Sequence, residues 1–381
     1  KLKSKGITEI KDLFANGIPT LKSERLFELL AHPDQRVRQR AQFALADQDL
    51  DSLPLFEKAI EPNQPLMRRI HGIWGIGQLG QKNPSALNSL ASLIGDKEME
   101  VRANLARTLG NHGKHLAPFR KALIAMLEDS SSRVVSLAAI ALSNHGHKDA
   151  IEPAIKMLEN NDDDDVVVRH AGIMVLTKCG EFTPDWKHYD HRSTAVRRAI
   201  VIALRRHKSH LLETYFADRD QSVRQEAIRA AYEMDVRETY RSLSNQAHSI
   251  ASRVSPDIKW HPLTARRAIF AAWVLGQEKD AEVIAKIAAD PKVDFRTRKD
   301  ALIALLEWNN PPVPDPVTGF ARTLPKNRIK INSSIIKDLE GLLDGVDKSS
   351  IELIPRALIL SEQDQIPLGE LRLTRYLKNA K

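Results

Sequence analysis

The sequence predicts an all-α protein: a right-handed α-α superhelical solenoid of about nine paired-helix repeats plus terminal capping helices. Three observations predict it. A phrase of Val-Arg followed by small and apolar residues recurs nine times, with starts 27 to 42 residues apart. A period in that range means stacked supersecondary units rather than one globular core. Acidic residues precede most copies, and apolar positions within each copy fall on one helical face.

The copies are VRQRAQFAL (37–45), RRIHGIWGI (68–76), VRANLARTL (101–109), VVSLAAIAL (134–142), VRHAGIMVL (168–176), VRRAIVIAL (196–204), VRQEAIRAA (223–231), ARRAIFAAW (265–273) and TRKDALIAL (297–305). Each is read as the second helix of a pair, with a first helix before it, as in ALNSLASLIG (86–95) ahead of VRANLARTLG (101–110). Asp34, Asp96, Asp129, Asp162 to Asp165, Asp190, Asp220 and Asp294 stand where they cap or complement the next helix N-terminus. Gly80, Gly113, Gly146 and Gly180 are read as helix-ending glycines. Gly72, Gly75, Gly77 and Gly80 are read as close-packing positions.

Residues 1–31 are expected to form N-terminal capping helices and 32–308 the solenoid. The long unit at 236–264 is read as an inserted loop with a partial helix. Residues 309–328 (NNPPVPDPVTGFARTLPKNR) carry five prolines and are read as an extended, semi-rigid strap. Residues 329–381 return to helical patterning and are expected to form terminal units.

Composition excludes several function classes. There is one cysteine, Cys179, so no disulfide framework, paired-cysteine zinc site or c-type haem motif can form. No apolar run approaches the ~20 residues of a membrane helix. The net charge is +8, which draws a protein toward polyanions but fits an ordinary solvated surface as well. The chain begins with Lys and carries no signal peptide, and reads as a piece of a longer protein.

The Arg at the second phrase position recurs as Arg38, Arg69, Arg102, Arg169, Arg197, Arg224, Arg266 and Arg298, with Val135 in its place once. A phosphate-binding ladder is one reading. The favoured one is structural: each guanidinium pairs with its turn's carboxylate or with a neighbouring repeat's carbonyls. His112, His145, Cys179 and His207 form a column at one phrase offset and tempt a zinc reading. Helices packed 8–10 Å apart cannot bring four such ligands to one metal, so no metal site is expected. His188, Asp190 and His191 in one turn, and the Asp162–Asp165 run, are read as solvated loop and helix cap, since the run lacks calcium-loop spacing. Cys179 lacks a sequence-local activator and is not read as a nucleophile. No catalytic residue and no cofactor are expected.

The candidate site is the face of the second helices left off the apolar stripe. In early repeats it reads Gln39, Gln78, Ala103, Asn111, Ser136 and Asn144, all neutral. Later it turns basic: His170, Lys178, Arg198, Arg205, Arg206, Arg267 and Lys299. Clustered guanidinium groups bind phosphate or carboxylate through paired hydrogen bonds.

Helix pairs with D-x-x-V-R-x-x-A turns resemble the HEAT-repeat family, including its phycobilin-lyase-like branch, over roughly residues 22–308. LLAHPDQRVRQRAQFALAD (29–47), ALIALLEWNNPPVPDPVTGFARTLP (301–325) and the segments after it resemble the central helical part of large bacterial proteins. Those join a sugar-dehydrogenase propeller, HEAT repeats and a cytochrome c. That resemblance implies a periplasmic or secreted origin and a scaffold role between redox domains, with a cytoplasmic location left open. The usual acidic-basic pair after the prolines reads Asp315-Pro316-Val317 here. The function expected is a non-catalytic scaffold or protein-interaction module, its partner another protein or neighbouring domains of the same polypeptide, or an anionic ligand. The alternatives are a nucleic-acid-binding protein resembling the HEAT-like DNA glycosylases, and a lyase-like modifier of a protein or chromophore.

Overall fold

The computed structural model describes residues 4–115, 117–252 and 261–331. The chain divides into two compact units, Lys1–Thr183 and Pro184–Lys381. Among the described residues all regular structure is helical, apart from one isolated bridge between Pro314 and Ala321.

The first unit comprises α1 (Ser4–Asn16), α2 (Ser23–Leu29), α3 (Gln35–Ala46), α4 (Leu53–Ala59), α5 (Leu66–Lys82), α6 (Met99–Gly110), α7 (Arg120–Ala125), α8 (Ser132–His145), α9 (Ile151–Asn161) and α10 (Val166–Cys179). The phrase copies lie on α3, α5, α6, α8 and α10, and each of these helices packs on the next. The expected stripe is the core. Val37, Ala41 and Leu45 are wholly buried, as are Val101 and Leu105, and Val134 and Ala138. Each buried Leu or Val stabilises by about 1.5–3 kcal/mol relative to exposure. Gly75 has no room for a Cβ against the Phe56 ring of α4, so this glycine sets how closely α4 and α5 approach.

The segment before α6 is a 3-10 helix, Pro84–Leu93, rather than the expected α-helix. Leu87, Leu90 and Leu93 are all buried. Their spacing of three residues matches the 3-10 period and places them on one edge.

The second unit comprises α11 (Thr194–Arg206), α12 (Gln221–Glu233), α13 (Tyr240–Ser252), α14 (Pro262–Leu275), α15 (Glu278–Ala289) and α16 (Phe295–Leu306). The remaining phrase copies lie on α11, α12, α14 and α16, again packed in succession. Ahead of α11 there is no first helix. The turn at 184–193 is instead an aromatic knot, with Trp186 edge-on to His188 at 4.9 Å and to Tyr189 at 5.5 Å. Tyr189 meets Tyr215 in turn at 6.2 Å.

The long unit at 236–264 holds a complete first helix, α13, not a partial one. Residues 309–328 are non-helical, as their prolines require. The terminal units expected over 329–381 fall, past residue 331, outside the described residues.

Four of the expected acids cap their helices, whereas α6, α8 and α11 have Glu98, Ser131 and Ser193 at the cap position in place of Asp96, Asp129 and Asp190. Asp34 accepts from Arg36 N, Asp165 from Val167 and Val168 N, Asp220 from Ser222 and Val223 N, and Asp294 from Thr297 N. The expected helix-ending glycines divide. Gly146 closes α8 in the left-handed region, with φ 70°. Gly180 follows α10 in extended backbone, Gly80 lies inside α5, and Gly113 begins a short 3-10 turn.

Candidate functional site

The repeated arginines are used inside the fold. Arg102 donates from Nη1 to the carbonyls of Asp96 (2.8 Å) and Lys97 (3.1 Å) in its own turn. Its Nε and Nη2 reach Asp129 of the next turn at 2.6 and 2.9 Å. The same guanidinium holds the Asp129 carboxyl below the usual carboxylate range. Arg197 repeats the arrangement with His191 O, Arg192 O and Asp218, and Arg69 pairs with Asp96. The guanidinium thus binds its own turn's carbonyls and the following turn's carboxylate. That joins successive repeats and leaves little of these arginines for a ligand.

The histidine and cysteine column closes a second seam. His145 Nδ1 meets Gly113 O at 2.9 Å, and Cys179 Sγ meets Leu142 O at 3.7 Å. Beside them Asn144 donates to Gly110 O at 2.9 Å, and His112 hydrogen-bonds Gly77. These are carbonyls in the C-terminal part of the preceding phrase helix or in the turn just past it, so the column ties each phrase helix to the one before. Burial pushes the Cys179 thiol up to about 11, which suits a packing residue and not a nucleophile. Among the described residues no three His, Cys, Asp or Glu side chains gather in a way that could hold a metal.

The seven basic candidates divide between the units. His170 and Lys178 are exposed on α10. In the second unit α11 carries Arg198, Arg205 and Arg206. Arg198 donates to Ser222 Oγ at 2.7 Å, Arg205 lies 3.4 Å from Glu226, and Arg206 is exposed. Arg267 on α14 is tied to Glu233 at 2.5 Å and to Leu263 O at 2.9 Å. Lys299 on α16 stands 5.9 Å from the Phe295 ring centroid. Acids on α12 therefore balance Arg205 and Arg267.

Lys299 also lines a cavity of about 660 Å³ between the N-terminal halves of α14 and α16, with His261, Arg266, Phe295, Arg296 and Asp300. Burial raises the Asp300 carboxyl, so its negative charge is disfavoured there. Arg296 and Lys299 leave the cavity with a positive lining that suits an anion.

The strap contributes residues that periodicity did not reveal. Asp315 is buried and accepts from Tyr232 Oη at 2.6 Å and from the backbone N–H groups of Val317 (3.0 Å) and Thr318 (2.8 Å). Arg322 lies over the Tyr232 ring at 4.3 Å with its Nε 3.4 Å from Asp315. Arg328 stands over the rings of Trp273 (4.8 Å) and Trp308 (5.0 Å), and burial lowers its guanidinium to about 10. A cation on aromatic faces is the available signal in the sequence, but the rings and arginines lie tens of residues apart.

Stacked helix pairs joined through such turns define an α-solenoid in each unit. Within the first, the sequence profile described as HEAT repeats matches residues 99–177. That match covers residues 99–177 alone, and over the other described residues the structure shows the same α-solenoid architecture. No curated protein matches it. Among solved structures, a mutant of Kap121p aligns at 12% identity and a TM-score of 0.50, covering 92% of this chain and 44% of its own. The CpcE–CpcF complex of phycocyanin lyase from a Nostoc species aligns at 18% identity and a TM-score of 0.32, covering 77% and 94%. A designed armadillo repeat protein aligns at 18% identity and a TM-score of 0.33, covering 56% and 99%. At these identities the likeness is one of fold. Among the described residues no helix is long and apolar enough to cross a membrane.

Proposed function

We propose that the protein is a non-catalytic scaffold and protein-interaction module, a segment of a larger secreted or periplasmic redox protein. It binds an acidic partner segment, from another protein or from a neighbouring domain, on the basic face of its second helices. Repeat solenoids commonly present extended binding surfaces of this kind. The observation that carries the reading is a division of labour among the arginines. Arg69, Arg102 and Arg197, at the second phrase position, are consumed by turns. His170, Lys178 and Arg206 instead project from phrase helices into solvent. The cavity lined by Arg296 and Lys299 offers an anion a recess in the second unit. The redox context rests on the resemblance of residues 29–47 and 301–325, and the full reading frame tests it directly: a flanking propeller and a haem-attachment motif are expected.

The binding surface is tested with a deca-glutamate peptide as probe. Replacing Arg198, Arg205 and Arg206 together with Ala is expected to weaken its binding about tenfold, a loss near 1.4 kcal/mol. The melting temperature should change little, because these side chains lie off the packing face. Unchanged affinity would overturn the assignment. Salt-dependent binding of duplex DNA in preference to the peptide would turn the reading to nucleic acid.

A further inference from the structure

Three of the neutral early positions, Gln39, Gln78 and Asn111, line a second cavity of about 570 Å³, formed by α3, α5 and α6 within the first unit. Its volume falls in the range of about 300–1,000 Å³ typical of small-ligand sites. Side-chain carboxamides dominate its lining: Gln35, Gln39, Gln42, Gln78, Gln81 and Asn111. No carboxylate lines it, and Arg107 is its one permanent charge. Burial pushes the His71 imidazole down to about 4 and also lowers His112, so both line the cavity as neutral rings.

A chain of hydrogen bonds fixes what this lining presents. Arg38 Nε can only donate, and it meets His71 Nε2 at 3.2 Å. His71 therefore carries its proton on Nδ1 and donates to Gln42 Oε1 at 2.7 Å. Gln42 then donates from Nε2 to Gln78 Oε1 at 2.7 Å. The Gln78 amide N–H groups are left over for the cavity. Trp74 spends its indole N–H on Asn104 Oδ1 at 3.1 Å, so it offers the cavity carbon surface only. Phe43, half exposed, adds a second aromatic wall.

We infer that this cavity is a binding site for a small neutral saccharide, a mono- or disaccharide. Sugar hydroxyls donate and accept at once, as carboxamides do. The C–H faces of a sugar ring need apolar surface, which Trp74 and Phe43 supply. The lining has neither the carboxylates a cation needs nor the cationic cluster an anion needs. The inference concerns the first unit alone and does not rest on the basic face of the second-unit helices.

The experiment is saturation-transfer NMR on the 381-residue chain. Maltose, cellobiose and diacetylchitobiose serve as neutral probes, with glucuronate and acetyl-tetraalanine amide as comparators. At least one neutral disaccharide is expected to show transfer, with an affinity insensitive to added salt. Gln39→Ala, at an exposed position that leaves the core intact, should weaken it about tenfold. Trp74→Ala should abolish it. Three outcomes would overturn the inference: no transfer from any of the three neutral disaccharides, binding undiminished by both Gln39→Ala and Trp74→Ala, or preferential binding of the peptide or of glucuronate.

Discussion

Arg197 grips Asp218 across two successive turns. Nε and Nη2 stand 2.8 and 3.1 Å from the two carboxylate oxygens, with the side chains only 1% and 6% exposed. The remaining Nη1 donates to His191 O and Arg192 O at 2.7 and 3.0 Å. One side chain thus ties its own turn to the one that follows.

Removing that arginine should cost far more than removing an exposed one. Arg197→Ala leaves Asp218 buried without its counter-charge and takes a donor from two carbonyls. A loss of about 3–5 kcal/mol is expected. Arg36→Ala removes an ion pair whose arginine is largely exposed to water, where solvent screens the charges, and should cost far less. Hydrogen exchange on α11 and α12, read beside the urea transition, separates the two. Equal effects would show that the buried pair is not what joins these turns.

His71 gives the first unit a defined acid sensitivity. Burial and the nearby Arg38 charge lower its imidazole from 6.5 to about 4. The unfolded chain therefore binds a proton in a pH range where the folded chain does not. The stabilisation from keeping His71 neutral is complete above pH 6.5 and is lost as pH falls from there through about 4. A shift of this size corresponds to roughly 3 kcal/mol. His71→Asn should flatten the stability profile of the first unit across that window. An unaltered profile would assign the acid sensitivity to other groups.

The phrase made the helix order legible, because nine copies expose which positions stay apolar whatever else varies. It made the type of the arginine's partners legible too. It did not reveal which repeat supplies them. Arg102 takes carbonyls from its own turn and a carboxylate from the next, a division set by how one helix pair sits on another. The 3-10 helix at 84–93 was encoded in the three-residue spacing of Leu87, Leu90 and Leu93, which a helical reading absorbs as noise. The relay from Arg38 through His71 and Gln42 to Gln78 starts at the recurrent arginine, but its other three members sit at offsets where the copies differ, so periodicity carries no trace of them. In the ladder His71 takes the place that Asp129 takes for Arg102, accepting from the Arg38 Nε–H at 3.2 Å.

The strap is held by charge at a few points, so its release should be separable from unfolding. Arg322 lies over Tyr232, which stacks on Tyr240 with ring centroids 5.7 Å apart, and it donates to the Tyr240 hydroxyl and to Tyr232 O. It is also the cation nearest Asp315, a carboxylate with no exposed surface on its side chain. Arg322→Ala leaves that carboxylate uncompensated, at a cost of about 3–5 kcal/mol. The strap can avoid most of that cost by lifting Asp315 into water. Faster hydrogen exchange at Val317 and Thr318, whose amides Asp315 accepts, is therefore expected, together with protease cleavage within 309–328 and little change in α14. Arg237→Ala removes a solvent-exposed 2.9 Å bond to Thr323 O of the strap, besides an ion pair to Asp235 and a contact with the Tyr240 ring, but leaves Asp315 its counter-charge, and should leave both readouts nearly unaltered. If Arg322→Ala instead exposed α12 and α14 together with the strap, the strap would be part of the core of the second unit and not a segment docked on it.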